Sequence, residues 1–189
     1  MSGTRSICSV GHSTLPLAAF IALLRENGIR RVADVRSFPA SRANPQFNRD
    51  RLPVSLAGAE IGYAHLASLG GRRSRRKDLA PGTSPNGGWE NESFRNYADY
   101  ALTPPFREGL AELLVLAELP TAIMCAEAVW WRCHRRIVAD YLVARGWTVL
   151  QVVPPDPPEP HALTPFARVL RDGSIIYPLP EERSHDAAG

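Results

Sequence analysis

Ile123-Met124-Cys125-Ala126-Glu127-Ala128-Val129-Trp130-Trp131-Arg132-Cys133-His134-Arg135-Arg136 decides how the rest of the chain is read. The apolar run Thr121 to Met124 suits a buried strand, and Ile137-Val138 with Tyr141-Leu142-Val143 repeats at helical spacing. The reactive side chains therefore fall in the turn between a strand and a helix. Open α/β sheets bind ligands at such junctions, and a helix N-terminus adds unpaired N–H groups and a positive dipole end that favour an anion.

The same alternation extends outward. Ser6 to Val10 is a short apolar strand closed by Gly11-His12-Ser13, and Leu17, Phe20, Ile21 and Leu24 mark a helix face that stops at Asn27-Gly28. Arg31 to Val35 is a second strand, Ile61 to His65 a third and Thr148 to Val153 a fifth, with a short helical stretch near Asn48 to Leu56. Helical spacing returns at Phe94, Tyr97 and Ala101 and from Phe106 to Ala117. Strands that alternate with helices imply an α/β fold: a mostly parallel, Rossmann-like open sheet with helices on both faces.

Residues 1–153 are expected to form the α/β domain. Residues 154–180 hold a stiff Pro-rich connector and a small C-terminal hairpin, Arg168 to Leu170 with Ser174 to Tyr177, packed on the same domain. Residues 181–189 read as a flexible tail. The segment Ala67 to Glu92 carries five glycines, two prolines and no periodicity, so it is expected to be a long functional or disordered loop.

At 189 residues with 44% hydrophobic content, the chain can bury a single core. It has no run of about 18 apolar residues and no apolar segment near Met1, so no membrane span or secretory signal is expected and the cytoplasm is the expected location. Three cysteines cannot close a disulfide framework, which makes reduced thiols the default, and Cys8 reads as a core residue. Net charge is +3, yet 21 of 22 basic residues are arginine. Arg72, Arg73, Arg75, Arg76 and Lys77 cluster in the long loop, with Trp89 beyond them, in the manner of a phosphate-backbone patch.

In a parallel sheet, residues just past each strand share one edge. That rule gathers His12 and Ser13, Asp34 and Arg36, His65, and Cys125 with Glu127. Cys133 and His134 open a helix whose dipole, with Arg135 and Arg136 next to it, lowers a thiol pKa. Six residues separate Cys125 from Arg132, one too many for the Cys-x5-Arg phosphate cradle. Zinc is not expected, because neighbouring Cys133 and His134 do not readily face one ion with Cys125.

Taken together, Gly11-His12-Ser13, Asp34-Val35-Arg36, Pro39, Ser41-Arg42, Phe47, Tyr63, His65, Leu69-Gly70-Gly71, Phe94, Tyr97, Met124-Cys125-Ala126-Glu127 and Cys133-His134-Arg135 resemble the bacterial and archaeal family catalogued as domain of unknown function 488 (DUF488). The resemblance runs from about residue 7 to 153. It implies the α/β fold and a site map, and it supplies no reaction. One departure is Ala128-Val129-Trp130-Trp131, where the family pattern has small or proline-containing sequence.

The leading expectation is an enzyme acting on nucleic acid or a nucleotide by phosphodiester hydrolysis. Ser13, Arg36, Ser41, Arg42, His65, Arg72, Arg73 and Arg135 would bind phosphate or substrate, and Asp34 with Glu127 would either hold Mg²⁺ or Mn²⁺ or act as base beside a catalytic His12. The second expectation is thiol chemistry, with Cys125 or Cys133 as nucleophile and Glu127 or His134 moving the proton. The third is a non-catalytic nucleic-acid-binding module. A homodimer is compatible with all three.

Overall fold

The computed structural model describes residues 5–80 and 82–180. A six-stranded sheet runs in the order β3-β2-β4-β1-β5-β6. Its strands are β1 (Ser6–Gly11), β2 (Arg31–Asp34), β3 (Gly62–His65), β4 (Thr121–Cys125), β5 (Thr148–Val152) and β6 (Glu159–Pro160). The first five pair in parallel, and β6 joins antiparallel at the edge. The helices are α1 (Leu17–Glu26), α2 (Leu52–Ala57), α3 (Glu92–Ala101), α4 (Pro104–Leu116) and α5 (Arg135–Val143). Strands β7 (Arg168–Val169) and β8 (Ile175–Ile176) form the expected terminal hairpin. The fold class and the helical spacings stand as expected; the remark about a tail at 181–189 falls outside the described residues.

Alternation along each strand separates two apolar cores. Cys8, Val10, Val32, Ala122 and Met124 point to one face, where Phe20 and Leu24 of α1 and Leu52 and Leu56 of α2 cover them. Ile7, Ala33, Ile123 and Val149 point to the other, against Phe106, Leu110 and Leu113 of α4 and Ile137 and Val138 of α5. Helices thus cover both faces of the sheet, as a parallel sheet requires. Local signals end the elements where they should. Gly28, at φ +65°, stops α1 in the left-handed region, and the Asn91 side chain caps α3 by accepting from Ser93 N–H.

Three expectations need correction. The Pro-rich connector is not merely a spacer, since Glu159 and Pro160 pair with Gln151 and Leu150 as the sheet's outer strand. Proline is tolerated there because an edge strand has one side with no partner to bond. Of the two readings of the long loop, functional or disordered, the second fails for its described residues, which are ordered around Asp99, whose Oδ1 accepts from Ser84 and Asn86 while Asn86 Oδ1 accepts from Tyr177 N–H. Trp89 is buried in the core, stacked on Phe94 at 4.8 Å, and is not a surface ring available to a base.

The topology singles out one crevice. The chain leaves β1 through α1 on one face and moves towards β2, but leaves β4 through α5 on the opposite face and moves towards β5. Because β1 and β4 are neighbours, their C-terminal ends flank the point where the winding reverses, the position at which open α/β sheets leave a ligand crevice. Among the described residues, no helix is long and apolar enough to cross a membrane.

Candidate functional site

The β1 and β4 ends are locked together before they diverge. His12 N–H donates to Cys125 O and Ser13 N–H to Ala126 O, each at 3.0 Å, so the ladder runs past both strands. Ser13 adopts φ +44°, a left-handed turn that redirects the chain into α1. The loop after β4 then folds directly over Gly11, where a Cβ would lie 1.9 Å from Glu127 O. Only glycine admits that crossing.

On one side of the crevice a buried network fixes Asp34. Its Oδ1 accepts from the Arg36 backbone N–H at 3.1 Å and from Nε at 2.9 Å, and its Oδ2 accepts from Arg36 Nη2 at 2.6 Å and Tyr63 Oη at 2.7 Å. Four donors occupy a carboxylate with about four lone-pair sites. The expected metal pair of Asp34 and Glu127 is not assembled: Asp34 is wholly buried and saturated, whereas Glu127 is exposed on the rim. Arg36 also donates to Phe47 O and, at 3.1 Å, to His12 Nε2, while His12 Nδ1–H donates to Ser13 O at 2.9 Å. His12 is 2% exposed and stacked on Phe47 at 4.0 Å. Burial, the largest cause, lowers its pKa to about 4, so it is a neutral acceptor in the fold. His65 lies behind this network, donating from Nε2 to Arg36 O, and lines neither cleft cavity.

On the other side sit the sulfurs. Cys125, Cys133 and His134 bring their ligating atoms within 4.8 Å of one another. The sequence-level objection to that grouping fails because Cys133 is extended (φ −127°, ψ 147°) while His134 is already αR (φ −56°, ψ −18°), and the break in backbone aims both side chains inward. A 3₁₀ turn, Trp130–Arg132, precedes them, and α5 begins at Arg135. His134 Nε2–H donates to Val35 O at 2.8 Å, which leaves Nδ1 facing Cys133 Sγ at 3.5 Å. Gly71 packs on that ring, where a Cβ would come within 2.3 Å of Nδ1.

Arg135 was expected to hold phosphate; instead it points into the protein and is 1% exposed. It donates to Glu127 O at 2.6 Å, to Ser9 Oγ at 3.3 Å and from Nε to Cys133 Sγ at 3.4 Å. Among the described residues, no carboxylate pairs with its guanidinium. The Cys133 thiol pKa falls well below its ordinary value, first because the Cys125 thiol donates to its sulfur, then through His134 and Arg135, against the opposing effect of burial. Cys125 shifts up for the matching reason, since it holds the proton beside a thiolate. Cys8, with only desolvation acting on it, rises to about 11.

Two adjoining cavities open on this floor, of about 540 Å³ and 680 Å³. Cys125, Ala126, Glu127, His134, Gly71 and Arg72 line both, so they form the ridge between them. Ser13, Arg36 and Ser41 line the first, and Arg73 and Cys133 the second. Arg42 is exposed and lines neither. Most of the basic run is absorbed locally. Arg73 stacks over Tyr100 at 3.7 Å and bonds three carbonyls, Arg75 donates to Leu79 O, and Arg76 pairs with Asp78.

Residues without a sequence signal of their own complete the cleft. Phe38, 73% exposed, and Asn44 line the first cavity, and Ser37 Oγ accepts from Arg72 N–H at 2.9 Å to hold the loop across the opening. Their position just beyond β2 is the only hint that they belong there. Neither curated proteins nor solved structures give a match. The model of a family described as a domain of unknown function, DUF488, does match, over residues 16–142, a span that contains α1 to α4, α5 up to its last residue but one, and every cleft residue except the Gly11-to-Leu15 turn. With more than half its length so matched, this chain belongs to the DUF488 family.

Proposed function

We propose that the cleft is the site of a cysteine-dependent enzyme that acts on a small anionic electrophile, phosphorylated or sulfur-bearing. The observation that carries this reading is the buried Arg135 guanidinium beside Cys133 Sγ with no carboxylate partner among the described residues. A buried charge needs a counter-charge, and the nearest group able to supply one is the Cys133 thiolate. A thiolate held beside Cys125 at the C-terminal edge of the sheet can attack directly or take the Cys125 proton, and either route gives the activated sulfur that nucleophilic chemistry requires. His134 Nδ1 can relay a proton, and Arg72 gives the cleft mouth a cation.

Metal-assisted phosphodiester hydrolysis draws less support, because the carboxylate meant to share the ion with Glu127 has all its acceptor sites engaged by Arg36 and Tyr63. Alkylation by iodoacetamide, followed across pH and mapped by peptide mass spectrometry, tests the thiol reading. The expected result is modification at the Cys125–Cys133 pair near neutral pH, with Cys8 untouched. Inert thiols at both positions up to the ordinary cysteine range would overturn it.

A further inference from the structure

We propose that Cys125 and Cys133 form a dithiol–disulfide couple that reduces a small anionic disulfide, Cys125 attacking and Cys133 resolving. This rests on the thiol reading above and adds the substrate class and the division of labour. Three observations point the same way. The two sulfurs lie within 4.8 Å of each other, close enough to exchange a proton and then to bond after small side-chain rotations. Cys125 lies on the ridge shared by two cavities, so a molecule whose halves flank a central bond would present that bond to its sulfur, with Arg72 beside both halves. Cys133 is 4% exposed and lies to the side in the second cavity, poorly placed to meet a bulky substrate first but well placed to reach a sulfur already on Cys125.

The steps balance. The pair starts with one proton, on Cys125, and one negative charge, on Cys133. The proton passes from Cys125 to Cys133, and the Cys125 thiolate attacks one sulfur of R–S–S–R′. A mixed disulfide Cys125–S–S–R forms and R′S⁻ leaves. Cys133 then gives up the proton, directly or through His134 Nδ1, 3.5 Å from that sulfur, to R′S⁻ or, where R′S⁻ is a weakly basic aromatic thiolate, to water. The Cys133 thiolate then attacks Cys125 Sγ, the Cys125–Cys133 disulfide closes, and RS⁻ leaves. Two electrons have moved from the dithiol to the substrate, and an external thiol reductant closes the cycle by reducing the internal disulfide. Oxidation removes the thiolate that faces Arg135, so the oxidised pair leaves a buried cation without its counter-charge and is easily reduced again.

The probe is 5,5′-dithiobis(2-nitrobenzoate), a carboxylated aromatic disulfide whose released thiolate is coloured, used on the wild-type chain, Cys133→Ser and Cys133→Ala. Wild type is expected to release two thionitrobenzoate ions per chain rapidly and to finish with a Cys125–Cys133 disulfide and no adduct. Either Cys133 variant is expected to release one, more slowly than wild type because Cys125 has lost the thiolate that takes its proton, and to retain the mixed disulfide on Cys125. If wild type keeps a stable Cys125 adduct while Cys133 remains alkylatable, the resolving role fails although the thiol reading stands. If neither cysteine reacts with the probe or with iodoacetamide, both fail. A purified chain holding one Zn²⁺ whose removal by chelator is needed before the thiols react would also overturn the couple, since Cys125, Cys133 and His134 would then be metal ligands.

Discussion

Arg135 does more for the site than any residue exposed in it. Its guanidinium ties together the loop after β4, through Glu127 O, the floor of β1, through Ser9 Oγ, and the Cys133 sulfur. Replacing it by glutamine should move the alkylation midpoint of the cysteine pair upward by at least one pH unit, read from iodoacetamide rates between pH 5 and 10, because the thiolate loses its facing charge. The same change leaves a buried carbonyl with a weaker donor and should cost roughly 1–3 kcal/mol in urea unfolding. Asp34→Asn acts on the other half of the cleft. It strips the Arg36 guanidinium of its one carboxylate partner among the described residues, with an expected loss of about 3–5 kcal/mol of stability by chemical denaturation.

His12 gives a pH dependence of definite sign. Its folded pKa, about 4, lies below its unfolded value of about 6.5, so the unfolded chain binds the proton more readily between those values. The stability that His12 contributes is complete above about pH 6.5 and declines as pH falls through that window to about 4, for a total of up to about 3 kcal/mol. The measurement is the difference in unfolding free energy between wild type and His12→Gln across pH 4–8. A difference that does not change with pH would show that the ring titrates normally.

At the scale of elements, the crossing of β1 by the loop after β4 is the tightest fit in the site. Gly11→Ala would drive a methyl group into the Glu127 and Ala128 carbonyls, with contacts of 1.9 and 2.7 Å to relieve. The loop, which carries the ridge between the two cavities, must lift. The variant should melt several degrees below wild type and lose the low-pH reactivity of its cysteines, since Arg135 would no longer reach Glu127 O. Retained melting temperature and retained thiol reactivity together would mean that the crossing has slack. The helix periods, strand starts and the Asn27-Gly28 stop were legible in sequence because each is set by local side-chain pattern and backbone freedom. The β6 strand was not legible, because Pro-Glu-Pro has no strand propensity and pairs only because β5 presents an open edge.

Across the whole molecule, the C-terminal segment is part of the core and not an accessory to it. Asp140 on α5 accepts from Tyr177 Oη, from His161 Nε2 and from Thr164 N–H, and both Ile175 and Tyr177 are fully buried. Trp130, in the turn before the cysteine, packs edge-on against His161 at 4.9 Å, so this segment also braces the cleft wall. Removing residues 154–180 should leave a chain that binds a hydrophobic dye and lacks a cooperative thermal transition. A milder change, Tyr177→Phe, should cost about 1–3 kcal/mol by leaving one Asp140 oxygen short of a donor. A truncated chain that still melted cooperatively would show that residues 5–153 suffice.

By itself the amino-acid order determined the α/β class, the identity of most elements and the set of strand ends where reactive side chains collect, because hydrophobic period and turn chemistry are local properties. It also grouped His12, Asp34, Cys125 and Glu127 at one edge, since parallel strands leave their C-terminal ends together. Only the tertiary structure decided which of those groups is available. Asp34 is consumed by Arg36 and Tyr63, Arg135 turns inward beneath the loop, and Cys133 meets Cys125 and His134 through a backbone break that no spacing rule announces. Hydrogen-bond saturation and burial depend on partners distant in the chain, and those partners meet only once the sheet has assembled.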